Sequence, residues 1–460
     1  MEKGLPVEFQ RLVAERNLAG ANQILDHLDA SDIAGLLESL AREDVLVIFD
    51  LLRNQAAAAV FKHLPHELQV AVVESLAPDA GRLADFLNEL SPDDRTAFLA
   101  ELPDDQAQRW LAALDPKERR NALRLLGYPE DSVGRLATTD YIALRPDWNV
   151  EQALRQIRRF GRDSETINVI YIVDEDWRLL DDIRIRELIL ADPQASIQSL
   201  MDYRFVALID RDDQESAVAA FGEHDRTVLP VIDAAGVLVG IVTVDDVLDV
   251  AEEEATEDIQ KLGGLEALDS PYLETPLLTL VRKRAGWLAI LFVGEMFTAT
   301  AMGFFESEIA RAVVLALFVP LVISSGGNSG SQAASLVIRA LAVGEVGLRD
   351  WWRVMRREVW SGLALGSILG ALGFLRVTVW AGAFNLYGEH WLLLGLTIGL
   401  ALVGVVLWGT VAGSMLPFVL KRLGADPATS SAPFVATLVD VTGLVIYFSV
   451  AVAVLSGTLL

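Results

Sequence analysis

The sequence contains no cysteine. Disulfides, thiolate metal sites and cysteine nucleophiles are therefore excluded. Histidine is scarce, five in 460 residues, and the five form no metal-ligand spacing. No glycine-rich phosphate loop opens a helix, so the chain is expected not to be an enzyme. Basic charge is also short, with 38 Lys and Arg facing 64 Asp and Glu. That deficit argues against a nucleic-acid partner, which needs a basic face. No apolar run lies near Met1, and no cleavable signal peptide is expected.

Mean hydropathy is nevertheless +0.36, high for so acidic a chain unless the two properties are segregated. Residues 1–280 carry 55 Asp and Glu against 26 Lys and Arg, whereas residues 281–460 carry 9 against 12. The first part reads as an acidic soluble body and the second as membrane-embedded. Five apolar stretches, near 285–304, 312–342, 359–384, 391–420 and 433–455, are long enough to cross ~30 Å of hydrocarbon as helices. Basic residues alternate sides of these stretches. They lie at Arg282, Lys283 and Arg284, then at Arg339, Arg349, Arg353, Arg356 and Arg357, then at Lys421 and Arg422. The positive-inside rule then places the acidic body in the cytoplasm and the C-terminus outside, in a multi-pass protein contacting membrane lipid. Residues 348–357 (LRDWWRVMRR) read as an interfacial amphipathic helix.

Residues 5–128 read as all-helical. Pro65, Pro78, Pro92, Pro103 and Pro116 recur at short intervals, each opening a unit such as SPDDRTAFLAEL. Proline suits a helix's first turn, and the acids behind it complement the helix N-terminus. Units of about a dozen residues must stack to bury their apolar stripes, which predicts a short helical solenoid. After Ser132 the pattern changes. Runs at 167–173 (INVIYIV) and 227–232 (TVLPVI) read as strands within two copies of a strand–helix–strand–strand–helix repeat. An acidic helix over 251–274 leads to the first apolar stretch.

Asp440 falls inside the last apolar stretch, about 10 Å along a helix from Pro433. A carboxylate in hydrocarbon is costly and usually faces a cavity or a partner. Pro433, Ala436, Thr437, Asp440 and Gly443 share one small, polar helical face able to line water. The alternative is an Asp paired with another buried polar group. Pro320 and the run Ser324, Ser325, Gly326, Gly327, Asn328, Ser329, Gly330 are expected to interrupt the second stretch, exposing backbone and the Asn328 amide to a pore. Close helix packing through small residues is the other reading. Glu295 either attracts cations or joins a structural pair. Glu306 lies at an outer mouth or in a plain solvated loop. Asp426, in the loop before the last stretch, either holds an ion at the inner mouth or caps a turn. Acids crowd residues 210–258, and Glu254, Glu257 and Asp258 share a helical face where like charges repel unless neutralised. A solvated acidic face is the plain alternative.

The repeat resembles a pair of CBS domains. Its second copy closes with Gly240-Ile241-Val242-Thr243 and Asp246, while the first has Leu180-Asp181-Asp182-Ile183 where a Gly and a Thr would stand. In CBS modules the Thr/Asp pair often holds a nucleotide ribose, which makes Thr243 and Asp246 candidate contacts for ATP. The whole chain resembles the MgtE family of magnesium channels, through GIVTVDDVLDVAEEEATEDIQKLGG (240–264), GGNSGSQAASLVIRALAVGEV (326–346) and DPATSSAPFVATLVDVTGLVIY (426–447). Ser331 and Ala432 depart from it, standing where Asn is expected.

The resemblance implies a multidomain fold: an all-α helical solenoid over 1–131, an α/β tandem CBS pair over 132–200 and 201–250, an acidic connecting helix over 251–280, and an α-helical polytopic membrane domain over 281–460. It implies a homodimer enclosing one cation pore, with Asp440, Ala436, Thr437, Asn328, Gly327 and Asp426 as pore residues. It carries Mg²⁺-sensing roles onto Asp213, Glu215, Asp225, Asp246, Asp249, Glu254, Glu257 and Asp258, and less directly onto Asp93 or Asp94. The implied function is a channel importing Mg²⁺ and gated shut by cytoplasmic Mg²⁺. Two alternatives stand beside it: exchange of a divalent cation (Mg²⁺, Co²⁺ or Mn²⁺) against Na⁺ or H⁺, and a membrane-anchored nucleotide or ion sensor without transport.

Overall fold

The computed structural model describes residues 5–268, 272–273, 275–384 and 387–459. It divides into two units, Met1–Ala251 and Glu252–Leu460.

In the first unit, ten described helices run from Leu5–Ala14 to Pro116–Leu126. Their starts follow the expected chemistry. Ser91 caps the helix Pro92–Ala100 by accepting from the Asp94 amide, with Pro92 in the first turn. Pro65 and Pro103 occupy the N-cap positions of His66–Leu76 and Asp104–Ala113. One core runs through the stack, with Phe61 edge-on to both Phe86 and Phe98 at 5.2 Å. Buried Arg95 ties two helices together, donating to Glu118 at 2.8 Å and to the Leu90 carbonyl at 2.7 Å. Burial opposes the Glu118 charge, but Arg95 outweighs it and holds this carboxyl below its ordinary range.

Two three-stranded sheets follow. β1 (Ala143–Leu144) pairs parallel with β2 (Val169–Val173), which pairs antiparallel with β3 (Leu179–Arg184). β4 (Leu208–Ile209), β5 (Val228–Ile232) and β6 (Leu238–Thr243) repeat this order. Even the register irregularities recur, at Ile172/Val173 and Val231/Ile232. Helices Val150–Phe160 and Ile185–Leu190 complete the first copy, and Gln214–His224 and Val244–Leu262 the second. A shared core of Tyr171, Val173, Leu179, Val228, Leu238 and Ile241 joins the two copies.

Among its described residues the second unit holds five helical segments of membrane-spanning length: Leu277–Phe304, Val313–Ala342, Leu348–Phe384, Trp391–Arg422 and Ala432–Leu455. Residues 348–357 are not a separate interfacial helix. Leu348–Asp350 form a short turn and residues 351–357 begin the helix Trp351–Phe384, because nothing in WWRVMRREVW breaks it. The expected interruption at Ser324–Gly330 is likewise absent, since Val319–Ala342 is continuous and Pro320 sits harmlessly in its first turn. The glycines are there for contact. A Cβ on Gly413 would stand 2.1 Å from the Gly330 carbonyl oxygen, and one on Gly409 2.3 Å from that of Gly326. The second and fourth spans therefore touch backbone to backbone.

The true break lies earlier, at 312–318, where the four-residue helix Val313–Ala316 and a turn precede the regular helix. There the buried Tyr447 hydroxyl donates to the Leu315 carbonyl at 2.8 Å, satisfying backbone that hydrocarbon would leave orphaned.

Gly409→Val and Gly413→Val should each destabilise the membrane unit by about 3 kcal/mol or more, since overpacking here meets backbone. Gly382→Ala, at an open position, should change stability by less than about 1 kcal/mol. Thermal unfolding of the purified protein in detergent separates the two. Equal melting for all three variants would contradict the close approach.

Candidate metal centre

Ser431 caps the last span, accepting from the Phe434 amide at 3.4 Å, and Pro433 fills its first turn. This start brings Ala436, Thr437 and Asp440 onto one partly buried face. Gly327 of the second span lies against it. A Cβ there would be 3.6 Å from Ala436 and 3.9 Å from Asp440 Oδ1. Gly327 and Ala436 sit inside continuous helices, so what they contribute beside the carboxylate is space. Asn328 is exposed one residue on, its amide nitrogen 3.5 Å from Ser324 Oγ, which leaves its carbonyl oxygen free to face outward. Gly294 of the first span meets the Thr437 methyl, and the adjacent Glu295 acts electrostatically on Asp440. Asp440 has no basic partner among the described residues. Ser331 and Ala432, the two departures, bond to each other: Ser331 Oγ donates to the Ala432 carbonyl at 3.1 Å.

Asp426 does not join Asp440. It caps its own turn, accepting from the Ala428 amide at 2.8 Å, and its other oxygen accepts from Lys261 at 2.7 Å. Lys261 also meets Glu257 at 2.5 Å. Burial works against the Lys261 charge, but Asp426 and Glu257 overcome it and raise its pKa. Beside them Asp258 is pushed up by burial and by Asp426. The end of the acidic helix is thus joined by its one cation to the loop before the last span. The chain turns there at Gly264, whose φ of +75° suits glycine. Trp287 of the first span packs on it and donates to Ser431 Oγ at 3.1 Å.

The first unit holds a second concentration of acid. Asp93 is pushed well up by burial, then by Asp246, Asp94 and Glu165. Its Oδ1 is buried without a hydrogen-bond partner among the described residues. Burial, Asp245 and Asp94 push Asp246 up to about 6, against the Thr243 hydroxyl, which donates to it at 2.6 Å. Glu165 is raised by burial and then by Asp246 and Asp245. Lys62 is the cation here, 3.4 Å from Asp245, and the surrounding acids raise it despite burial. Asp93 and Glu165 come from elements far from Asp246 in sequence. The family resemblance reaches Asp93 only indirectly, and no sequence signal marks Glu165.

The remaining expected residues are dispersed. Asp213 caps the start of Gln214–His224 and Asp225 its end, about 18 Å apart at 1.5 Å per residue. Glu215 donates its amide to Asp213, and Asp249 is exposed. Glu254 lies one turn before Glu257 and Asp258 on the acidic helix. Among the described residues no three His, Asp or Glu side chains converge to ligate an ion directly. A hydrated ion tolerates such spacing, and Mg²⁺ commonly keeps several waters.

Thr243 and Asp246, the expected ribose contacts, bond to each other. Arg184, Arg204 and Arg226 border a cavity of about 160 Å³ together with Asp182, Glu187 and Asp202. The first copy's departure has its reason here. Buried Asp181 accepts from the Asp202 and Tyr203 amides at 2.8 and 2.9 Å, and Asp182 pairs with Arg226.

A helical domain, a pair of repeated three-stranded units and, among the described residues, five apolar helices of membrane-spanning length define a multi-pass membrane protein. Family models agree along the chain: the MgtE intracellular N domain over 28–131, CBS domains over 133–193 and 197–253, and the MgtE divalent cation transporter over 319–450. The chain belongs to the MgtE family of magnesium transporters. It is 42% identical to the magnesium transporter MgtE of Thermus thermophilus, covering 98% of each chain, and 28% identical to that of Bacillus subtilis, covering 96% of this chain and 95% of the other. A crystal structure of the cytosolic domain of the Mg²⁺ channel MgtE in complex with ATP matches 53% of this chain and 99% of that one, at 38% identity and a TM-score of 0.50.

Raised carboxyl pKa values mean that the folded form holds protons the unfolded chain releases. Their stabilisation is complete below about pH 4 and is lost as pH rises through about 6 and beyond. In chelator, the first unit should lose roughly 1–3 kcal/mol between pH 4.5 and 7.5, and Asp93→Asn should remove much of that loss. Millimolar Mg²⁺ at pH 7.5 should restore the wild type. Pulse proteolysis within residues 5–251 of the full-length protein reads this, and parallel curves for wild type and Asp93→Asn would contradict it.

Proposed function

We propose that the protein is a homodimeric Mg²⁺ channel of the cytoplasmic (inner) membrane, closed by Mg²⁺ on its acidic side. The observation that carries this reading is Asp440, held between the second and last spans beside Gly327 and Ala436, with Glu295 adding charge and no lysine or arginine beside it. A carboxylate kept at membrane depth without a basic partner is one that a passing cation neutralises. Thr437 and Asn328 supply neutral oxygens that suit a largely hydrated Mg²⁺. The first span supports the dimer, since none of its 28 residues is buried within one chain. The division at residues 131, 200, 250 and 280, the cytoplasmic placement of the acidic body and the outward C-terminus belong to the same reading.

Gating follows from the acids. Asp93, Glu165 and Asp246 in the first unit, and Glu254, Glu257 and Asp258 on the acidic helix, repel until cations or protons relieve them. Asp213, Glu215, Asp225 and Asp249 add surface charge that a second copy can share. Mg²⁺ shifts the equilibrium only by binding the closed form better than the open one. The Lys261 bridge to Glu257 and Asp426 ties this helix to the pore entrance. ATP, bound by the solved cytosolic relative, has a candidate contact in the arginine-bordered cavity rather than at Thr243 and Asp246.

Asp440→Ala and Asp440→Asn should each cut Mg²⁺ uptake into proteoliposomes roughly tenfold or more while leaving the protein folded. Undiminished flux in both variants sinks the pore assignment. Neutralising Asp246, Asp249, Glu254, Glu257 and Asp258 together should abolish the Mg²⁺ dependence of protease protection over 251–268. Closure of that variant at the wild-type Mg²⁺ concentration would make the cluster a solvated face only.

A further inference from the structure

The membrane unit contains a cavity that the pore does not use. It has a volume of about 450 Å³ and is walled by Leu317 and Leu321 of the second span, Leu369 and Leu372 of the third, and Leu402 of the fourth. That size falls within the ~300–1,000 Å³ typical of small-molecule sites. It opens on the outer surface of the helices, where Leu317, Leu321 and Leu372 are 70%, 45% and 56% exposed. At one end stands a single charged side chain, Arg376.

Arg376 sits where a headgroup would. The residues from 359 to 375 carry no charge. Arg376 lies nineteen positions after Arg357, about 28 Å at 1.5 Å per residue, which nearly matches the ~30 Å hydrocarbon thickness. The Arg353, Arg356 and Arg357 cluster therefore marks one hydrocarbon boundary, and Arg376 the other. Its guanidinium lies 3.4 Å from the Trp380 ring centroid and 3.4 Å from the Tyr387 hydroxyl. Stacking on Trp380 orients the guanidinium, and Tyr387 uses only one of its five N–H donors. Among the described residues it makes no ion pair, and no carboxylate lines the cavity. The cavity thus joins one uncompensated positive charge at the interface to a leucine-walled slot running about two helical turns inward, to Leu369. Its complement is a molecule with one anionic group and a hydrocarbon chain.

We propose that this groove binds one anionic phospholipid, with its phosphate on Arg376 and an acyl chain among the leucines. Ser325 also borders the groove, two residues from Gly327. A seated lipid would therefore brace the back of the helix that faces Asp440.

Native mass spectrometry of the full-length protein, offered phosphatidylglycerol and phosphatidylcholine with identical chains, tests the proposal. The most tightly retained lipid should be phosphatidylglycerol, favoured by about tenfold, the factor that one charge-assisted hydrogen bond supplies. Arg376→Gln should bring phosphatidylglycerol down to the phosphatidylcholine level, and Leu372→Trp, which fills the slot, should lower retention of both. An undiminished preference in Arg376→Gln overturns the proposal. So does unchanged retention in Leu372→Trp, which remains informative if Arg376→Gln fails to fold. Displacement by millimolar inorganic phosphate would make the site one for a free anion. Because the chain lacks cysteine, Leu372→Cys supplies a unique thiol. A disulfide between two copies through it would show that a second chain covers the groove, which also overturns the proposal.

Discussion

Carboxylates held out of water without enough cations to neutralise them are the constraint on which this protein depends. Charge of that kind is costly in a low dielectric, and a protein retains it where something mobile relieves it. Asp440, within a helix of membrane-spanning length, is such a group, and Asp93, with a buried oxygen lacking a hydrogen-bond partner among the described residues, is another in the first unit. The fixed cations are few and already engaged. Lys62 meets Asp245, and Lys261 is shared by Glu257 and Asp426. The acids around Asp245 and Asp426 thus share one ammonium each, and Asp440 has none among the described residues.

The scaffold around Asp440 is closely packed. Glycines on the second and fourth spans let backbones touch, and further glycines on the third span do the same against the fourth. The fourth span is thus a central post, fixing the second span so that Gly327 rather than a bulkier residue borders the carboxylate. Tyr447, two turns beyond Asp440 on the last span, seals the broken backbone at Leu315. The span that carries the charge also stabilises the irregular part of its neighbour.

Much of this was legible in the sequence, for identifiable reasons. Proline at helix starts and acids behind it are local signals, and the ten stacked helices obey them. The CBS copies showed in strand runs and in their repeat. Asp440 stood out because a lone acid among apolar residues has no solvated alternative. The glycines from 326 to 330 were harder. A glycine run weakens an isolated helix, but it equally permits close approach, and the partners Gly409 and Gly413 lie some eighty residues away. The break at 312–318 left no mark, since its repair comes from Tyr447. Glu165 beside Asp246 and the arginines around Asp182 were invisible for the same reason: they converge through tertiary packing rather than spacing. Asp213 and Asp225 were neighbours in sequence terms, but a helix set them at opposite ends.

The central claim is that cations crossing this membrane unit are balanced by fixed carboxylates and by nothing else. The most direct measurement is current across a planar bilayer holding the purified protein, with Mg²⁺ varied independently on the two sides. The account predicts a current that reverses at the Mg²⁺ equilibrium potential, ignores Na⁺ and pH gradients, and falls as Mg²⁺ rises on the side bearing the acidic unit. A reversal potential that follows Na⁺ or H⁺ would contradict it and make the protein a coupled exchanger.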